Sequence, residues 1–402
     1  MFYSANRLAL LALLAGGALI AGCGGGGSSG GGSTGGGNPG PTGPTAPELG
    51  TGDHSPTSVT FTNITATGLV VNNPMDLAFS PIASNELWVI NQGASSISDD
   101  SLLIFNDVTA ATITGERIDN TNDGNWGHFY MNASGIAFGA QTSAAGNGWT
   151  FATSQDATRV GDDFMGPTLW SADRTIIGHY LPGGAPMGLG SHLDMLHSTR
   201  YAKGIAHESG NIFWVVGQAY YTVLAGTPQV CLSRYNYNAD HGPGFDNHSD
   251  GVKTHFAAGA VSTVAGVPAG MYFHTANNRL YVSDTGNGRI VALVTTSGNA
   301  PTSVNGHTGD GQDFAVTGAT VEIVVPASTV LTNPSGLEYH NGLLYVADHA
   351  TGIIHAFDLS GNRINWLDTG LGASAVTGLA FGGDGKLYFC DIKNDRIVRI
   401  DP

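Results

Sequence analysis

Cysteine, basic side chains and helical periodicity are all scarce in this chain, and each shortage removes a class of function. Three cysteines in 402 residues are too few for a disulfide framework to hold the fold. Lys and Arg number 15 against 31 Asp and Glu, a formal net charge of -16. A chain of that sign repels a phosphate backbone, so nucleic acid is not an expected partner. Charged residues make up only 11% of the chain, and no helical pattern is present to carry a nucleophile elbow of the G-x-S-x-G kind. Beyond residues 8–20, no run is long and apolar enough for a transmembrane helix. What the chain has instead is 60 glycines and 41% apolar residues, enough to bury a sizeable core.

The amino terminus reads as an address. Arg7 precedes Leu8 to Ile20 (LALLALLAGGALI), an apolar run of signal-peptide length. It ends in Ile20-Ala21-Gly22-Cys23, which resembles the bacterial lipobox. That resemblance implies cleavage before Cys23, which then carries a diacylglycerol thioether and a palmitate-type amide chain; several acyl chains anchor more firmly than one. The alternative is an ordinary secretory signal in which Cys23 is incidental. Residues 24–50 are rich in Gly, Ser and Pro and predict a disordered tether, flexible first and stiffer from Pro39 to Pro47. The plan is a signal peptide over 1–22, lipidated Cys23 and tether over 23–50, and a folded head over 51–402. Gly24 after Cys23 suits the outer membrane of a Gram-negative cell, so the expected location is the cell envelope, facing the periplasm or the surface.

The head repeats itself. Pro268-Ala-Gly-Met-Tyr-Phe leads to Arg279-Leu-Tyr-Val-Ser-Asp284 and then Gly288-Arg-Ile-Val-Ala-Leu293. The same three-run frame returns from Pro334 through Asp348 to Phe357, and from Val376 through Asp391 to Ile400. Three more diverged copies begin at Pro74, Ala133 and Ala202. Each run is rich in β-branched and aromatic residues, and Gly, Asn and Asp clusters separate the runs, which predicts a meander of antiparallel strands. Six such units make an all-β, six-bladed β-propeller the expected fold. The last unit stops after its third strand, so Ser58 to Asn63 (SVTFTN) is expected to supply the fourth and close the ring.

The P-x-G-[IL]-A-[FYH] and L-Y-V-[AS]-D runs, with Asp284-Thr-Gly-Asn-Gly-Arg-Ile290, resemble NHL repeats. The resemblance is strong over residues 268–402 and weaker, but in register, over 73–238. It implies the six-bladed fold and leaves function open, because that architecture hosts binding modules, lyases, hydrolases and lactonases.

By analogy with propellers, residues leading into the innermost strands and residues leaving the second strands share one face. The former are Asp76, Ser134, Lys203, Ala269, Ser335 and Thr377; the latter are Asn91, Gln218, Asp284, Asp348 with His349, and Asp391. Asn91, Lys203, Asp284, Asp348, His349 and Asp391 are the candidate ligand contacts at the channel mouth. The same Asp residues can instead cap turns. Fourteen histidines raise the question of zinc, since NHL-fold peptide-amidating lyases hold that ion with three axial His. His349 lies one residue from such a position, but no His-x-Glu-His or Cys pair supports a site independently. The segment 240–251 gathers Asp240, Asp246, Asn247 and Asp250, oxygen ligands that suit calcium or simply form solvated turns. Residues 305–313 resemble it one unit later.

The expected function is a membrane-anchored binding or scaffold propeller with a monomeric head, taking a protein, peptide or glycan partner. The alternative is a metal-dependent extracytoplasmic lyase or lactonase with its site at the channel mouth. Calcium is the favoured metal and zinc the lesser one.

Overall fold

Four strands of high apolar content, repeated six times, assemble into the six antiparallel blades of a β-propeller. The computed structural model describes residues 45–93, 100–118, 130–141, 148–158, 165–177, 192–239, 241–243 and 247–402. Cys23 and the residues read as a signal peptide lie outside them. No helix among the described residues is long and apolar enough to cross a membrane. The innermost strands of blades 1 to 6 are Pro74–Phe79, Ala133–Gln141, Thr199–Ser209, Met271–His274, Pro334–His340 and Val376–Phe381.

The second strands explain why the repeat was so apolar. Every residue of Leu343–Asp348 is buried, as is every residue of Leu87–Asn91. Side chains alternate across a strand, and here each face packs on a neighbouring blade. Trp88 and Ile90 join the cluster shared with blade 2, whereas Leu87 and Val89 join the cluster shared with blade 6. The six apolar clusters each occupy one junction between adjacent blades. The core is therefore a ring of six interfaces.

The ring closes as the sequence predicts. Thr60–Ile64 pairs antiparallel with Arg396–Asp401, placing Phe61 opposite Ile400. The strand starts two residues after Ser58, the expected start, because Pro56–Ser58 forms a 3-10 turn. Pairing the two ends of the head removes the open edge that a three-stranded last blade would present.

Two features depart from the sequence-based plan. Residues 45–50, which composition assigns to the tether, pack against the head: Ala46 and Leu49 are buried in the blade 5–6 cluster. Asn365 Nδ2 donates to Ala46 O at 2.8 Å and to Gly50 O at 2.9 Å, and the Tyr345 hydroxyl donates to Glu48 Oε2 at 2.6 Å. One apolar residue, Leu49, with a gap to fill outweighs the flexibility of its neighbours. The second departure is in blade 4, whose third strand Arg289–Val294 and outer strand Val321–Val325 are separated by a long excursion. Within it, Gln312–Val316 pairs in parallel with Val252–Phe256, the outer strand of blade 3. Blade 3 thus becomes a six-stranded sheet.

Candidate functional site

The conserved spacing of the inner strands comes down to one position. Gly135, Gly204, Gly270, Gly336 and Gly378 occupy the third place of the repeat in blades 2 to 6. A β-carbon at Gly204, Gly270 or Gly336 would collide with the backbone of the following inner strand, at Ala269, Leu337 and Thr377 respectively. The residue before the glycine often ties blades together. Ser134 Oγ donates to Ala202 O at 2.7 Å, Ser335 Oγ to Val376 O at 3.0 Å and Thr377 Oγ1 to Pro74 O at 3.0 Å. Asp76 is not one of these leading residues. It takes the glycine position in blade 1, because Pro74 and Met75 align with the two residues ahead of each glycine.

The inner strands surround a cavity of about 470 Å³, within the usual range for small-ligand sites. Its walls combine apolar side chains such as Phe138, Met271 and Phe381 with the carboxyls of Asp76 and Glu338. Asp76 Oδ2 accepts a hydrogen bond from Ile136 N at 3.0 Å. Burial raises the Asp76 carboxyl to about 7 despite that bond. Burial, reinforced by the charge of Asp76, raises Glu338 to about 8. Both therefore titrate near neutrality, as donors or acceptors. Lys203 also lines the cavity, and its ammonium is ion-paired with Asp156. His207 is the single histidine among the described residues lining the cavity; burial lowers its basicity, and Nε2 lies 3.0 Å from Gly210 O.

The other candidates from the sequence lie outside this lining. Asp284 is buried, accepts from Ser262 N at 2.7 Å and pairs with Arg289 Nε at 2.6 Å. Asp348 accepts from the backbone N–H groups of Thr332, Asn333 and Ala350 at 3.0, 2.9 and 3.1 Å. Asp391 accepts from Asn394 N at 3.2 Å and pairs with Arg396 Nε at 2.6 Å. Asn91 accepts from Asn72 N at 2.6 Å and donates to Ser101 Oγ at 2.9 Å. His349 Nδ1 is 3.2 Å from Val376 O. These Asp residues act as caps that pin loops to blade ends. Cys231 and Cys390 are buried free thiols, and burial raises Cys231 to about 11, which leaves both protonated and inert.

A second polar centre lies on the flank of blade 3. Of the calcium candidates, Asp240 and Asp246 fall outside the described residues. Asn247 Oδ1 accepts from Ser249 Oγ at 2.6 Å and caps the turn His248–Asp250. Asp250 Oδ1 lies 3.2 Å from His241 Nε2. The excursion from blade 4 brings residues 305–313 to the same flank, so the two similar loops meet. There Asp310 Oδ2 accepts from His197 N and lies 3.0 Å from His197 Nδ1. Asp313 forms a buried pair with Lys253 at 2.9 Å and contacts His255 at 3.0 Å. Neither Asp194 nor His197 was a candidate from sequence, because their partners lie in distant segments.

No family pattern and no characterised protein matches the chain by sequence. Solved structures do match it by fold. An auxiliary nutrient-binding protein from Bacteroides ovatus aligns with a TM-score of 0.50 at 14% identity, over 86% of this chain and 76% of that one. A Bacteroides thetaiotaomicron structural-genomics protein of unknown function aligns with a TM-score of 0.50 at 9% identity, over 85% and 76%. A luciferin-regenerating enzyme aligns with a TM-score of 0.49 at 12% identity, over 86% and 95%. The likenesses at a TM-score of 0.50 concern architecture alone, and a fold of this kind does not fix function. The chain is a six-bladed β-propeller with a carboxyl-lined central cavity.

Proposed function

We propose that this chain is a lipid-anchored, extracytoplasmic binding propeller whose central cavity receives a peptide or glycan segment presenting amine or hydroxyl groups. The observation that carries this reading is the pair Asp76 and Glu338, two carboxyls on the wall of one cavity whose acidity burial weakens. An entering ammonium restores their charge, and hydroxyls satisfy them as neutral or ionised groups. Apolar side chains such as Phe138 and Phe381 and polar wall groups share the contact area, and the carboxyls set the ligand's orientation. The lipobox-like Ile20-Ala21-Gly22-Cys23 supports anchorage to the envelope.

Calorimetric titration of the full chain against amine-bearing peptides and aminosugars tests this reading. The double variant Asp76→Asn, Glu338→Gln is expected to bind at least tenfold more weakly than the wild type. Equal affinities, or no binding to any member of either class, would refute the assignment.

The second reading is an enzyme of the lyase or lactonase kind. It draws support from Asp76, whose carboxyl at about 7 is matched to general acid–base work near neutral pH. Turnover of lactones by the wild type and its loss in Asp76→Asn would favour this reading.

A further inference from the structure

Segments 194–197 and 307–310, together with His241 and Asp250, come from far apart in sequence and converge on the flank of blade 3. They do so because the blade 4 excursion leaves its own sheet and pairs in parallel with Val252–Phe256. The convergence makes two triads, Asp194–His241–Asp250 and His197–His307–Asp310. In each, one ligand atom per residue lies within 4.8 Å of the others. Bonds of about 2.0–2.2 Å to a central ion span such a spread after small side-chain adjustments. The triads adjoin: the His197 ring lies 5.4 Å from that of His248, whose Nδ1 is 2.9 Å from Asp194 Oδ1.

The first triad is unsatisfied as it stands. Asp194 has no solvent exposure, and its Oδ2 has no hydrogen-bond partner among the described residues. That oxygen is 3.9 Å from His241 Nε2, which also faces Asp250 Oδ1 at 3.2 Å. Two carboxylates therefore converge on one imidazole edge that carries at most one proton. A buried carboxylate oxygen left bare is costly, and a cation between the three groups removes that cost.

We propose that the two triads form a transition-metal centre with two ion positions, separate from the central cavity. The donors decide the metal class. One triad offers two imidazoles and a carboxylate, the other one imidazole and two carboxylates; imidazole selects zinc-like ions over calcium, which takes six to eight oxygens. The buried Lys253, whose ammonium donates to Asp310 O, fixes the turn from which Asp310 reaches the site.

The test uses the full-length protein, stripped with chelator and titrated with cobalt(II), a spectroscopic substitute for zinc. The expected result is two ions per chain and a visible ligand-field absorption. His241→Ala and His307→Ala, at side chains that are partly exposed, should each remove one ion. Asp76→Asn in the cavity should keep both. Thermal melting of each variant shows whether it has folded, and the wild-type stoichiometry decides if one has not. Fewer than two ions per wild-type chain, displacement by an equal concentration of calcium, or loss of both ions in one folded variant would overturn the proposal.

Discussion

A β-carbon added to Gly378 would lie 2.6 Å from both Cα and Oδ1 of Asp76. Blade 6 can approach blade 1 only because this position is glycine, and the same approach holds the Asp76 carboxyl in place. Gly378→Ala should therefore cost about 1–3 kcal/mol as overpacking, read as a lower melting temperature. It should also weaken ligand binding in the cavity, whereas unchanged stability would show that the inner strands have room to part.

The caps at the ends of the second strands give a different expectation. Asp348→Ala strands the N–H groups of Thr332, Asn333 and Ala350, and should destabilise the propeller by about 3 kcal/mol. Ligand affinity measured on the folded fraction should stay at the wild-type level. A loss of affinity at unchanged stability would instead make Asp348 a ligand contact.

Truncation separates docking from closure. Relative to a chain starting at Pro44, one starting at Thr51 loses the buried Leu49 side chain and should be about 2 kcal/mol less stable. A chain starting at Thr67 also loses Thr60–Ile64, the strand that joins the two ends of the head, and should lose cooperative unfolding altogether. Calorimetric melting of the three chains checks the order, and equal melting temperatures would contradict the closure.

Stability should also depend on pH through the cavity pair. Burial raises Asp76 from 3.8 to about 7 and Glu338 from 4.5 to about 8, so the folded chain keeps protons that the unfolded chain releases. Their contribution is nil below about pH 4, turns into a penalty as pH rises, and that penalty is complete above about pH 8. Asp76→Asn should match the wild type in stability at pH 4 and exceed it at pH 8. A melting-temperature difference that is constant across that range would contradict a carboxyl whose acidity burial weakens.

The architecture was legible because the copies repeat one pattern: apolar second strands in all six, a glycine at the waist in blades 2 to 6, and a turn-capping Asp in blades 4 to 6. The closing strand was legible from the missing fourth strand of the last unit and the run Ser58 to Asn63, to within two residues at its start. The cavity pair was less so. Glu338 sits in an ordinary inner strand, and Asp76 shows its role only when aligned with Gly378 rather than with Thr377. The flank centre was hidden for a physical reason: its residues come from segments up to 116 positions apart (194 to 310). They meet through a parallel pairing of Gln312–Val316 that local alternation does not specify. Residues 45–50 were hidden because a Gly- and Pro-rich composition masks the buried Ala46 and Leu49.

The most direct test of the central claim, that the cavity is the binding site, is the structure of the full chain with the tightest peptide or aminosugar from the titrations. The account predicts ligand density within the ring of inner strands, with an amine or hydroxyl in hydrogen-bond reach of Asp76 and Glu338. Ligand seated on the outer rim of the blades, with the cavity left to water, would contradict it.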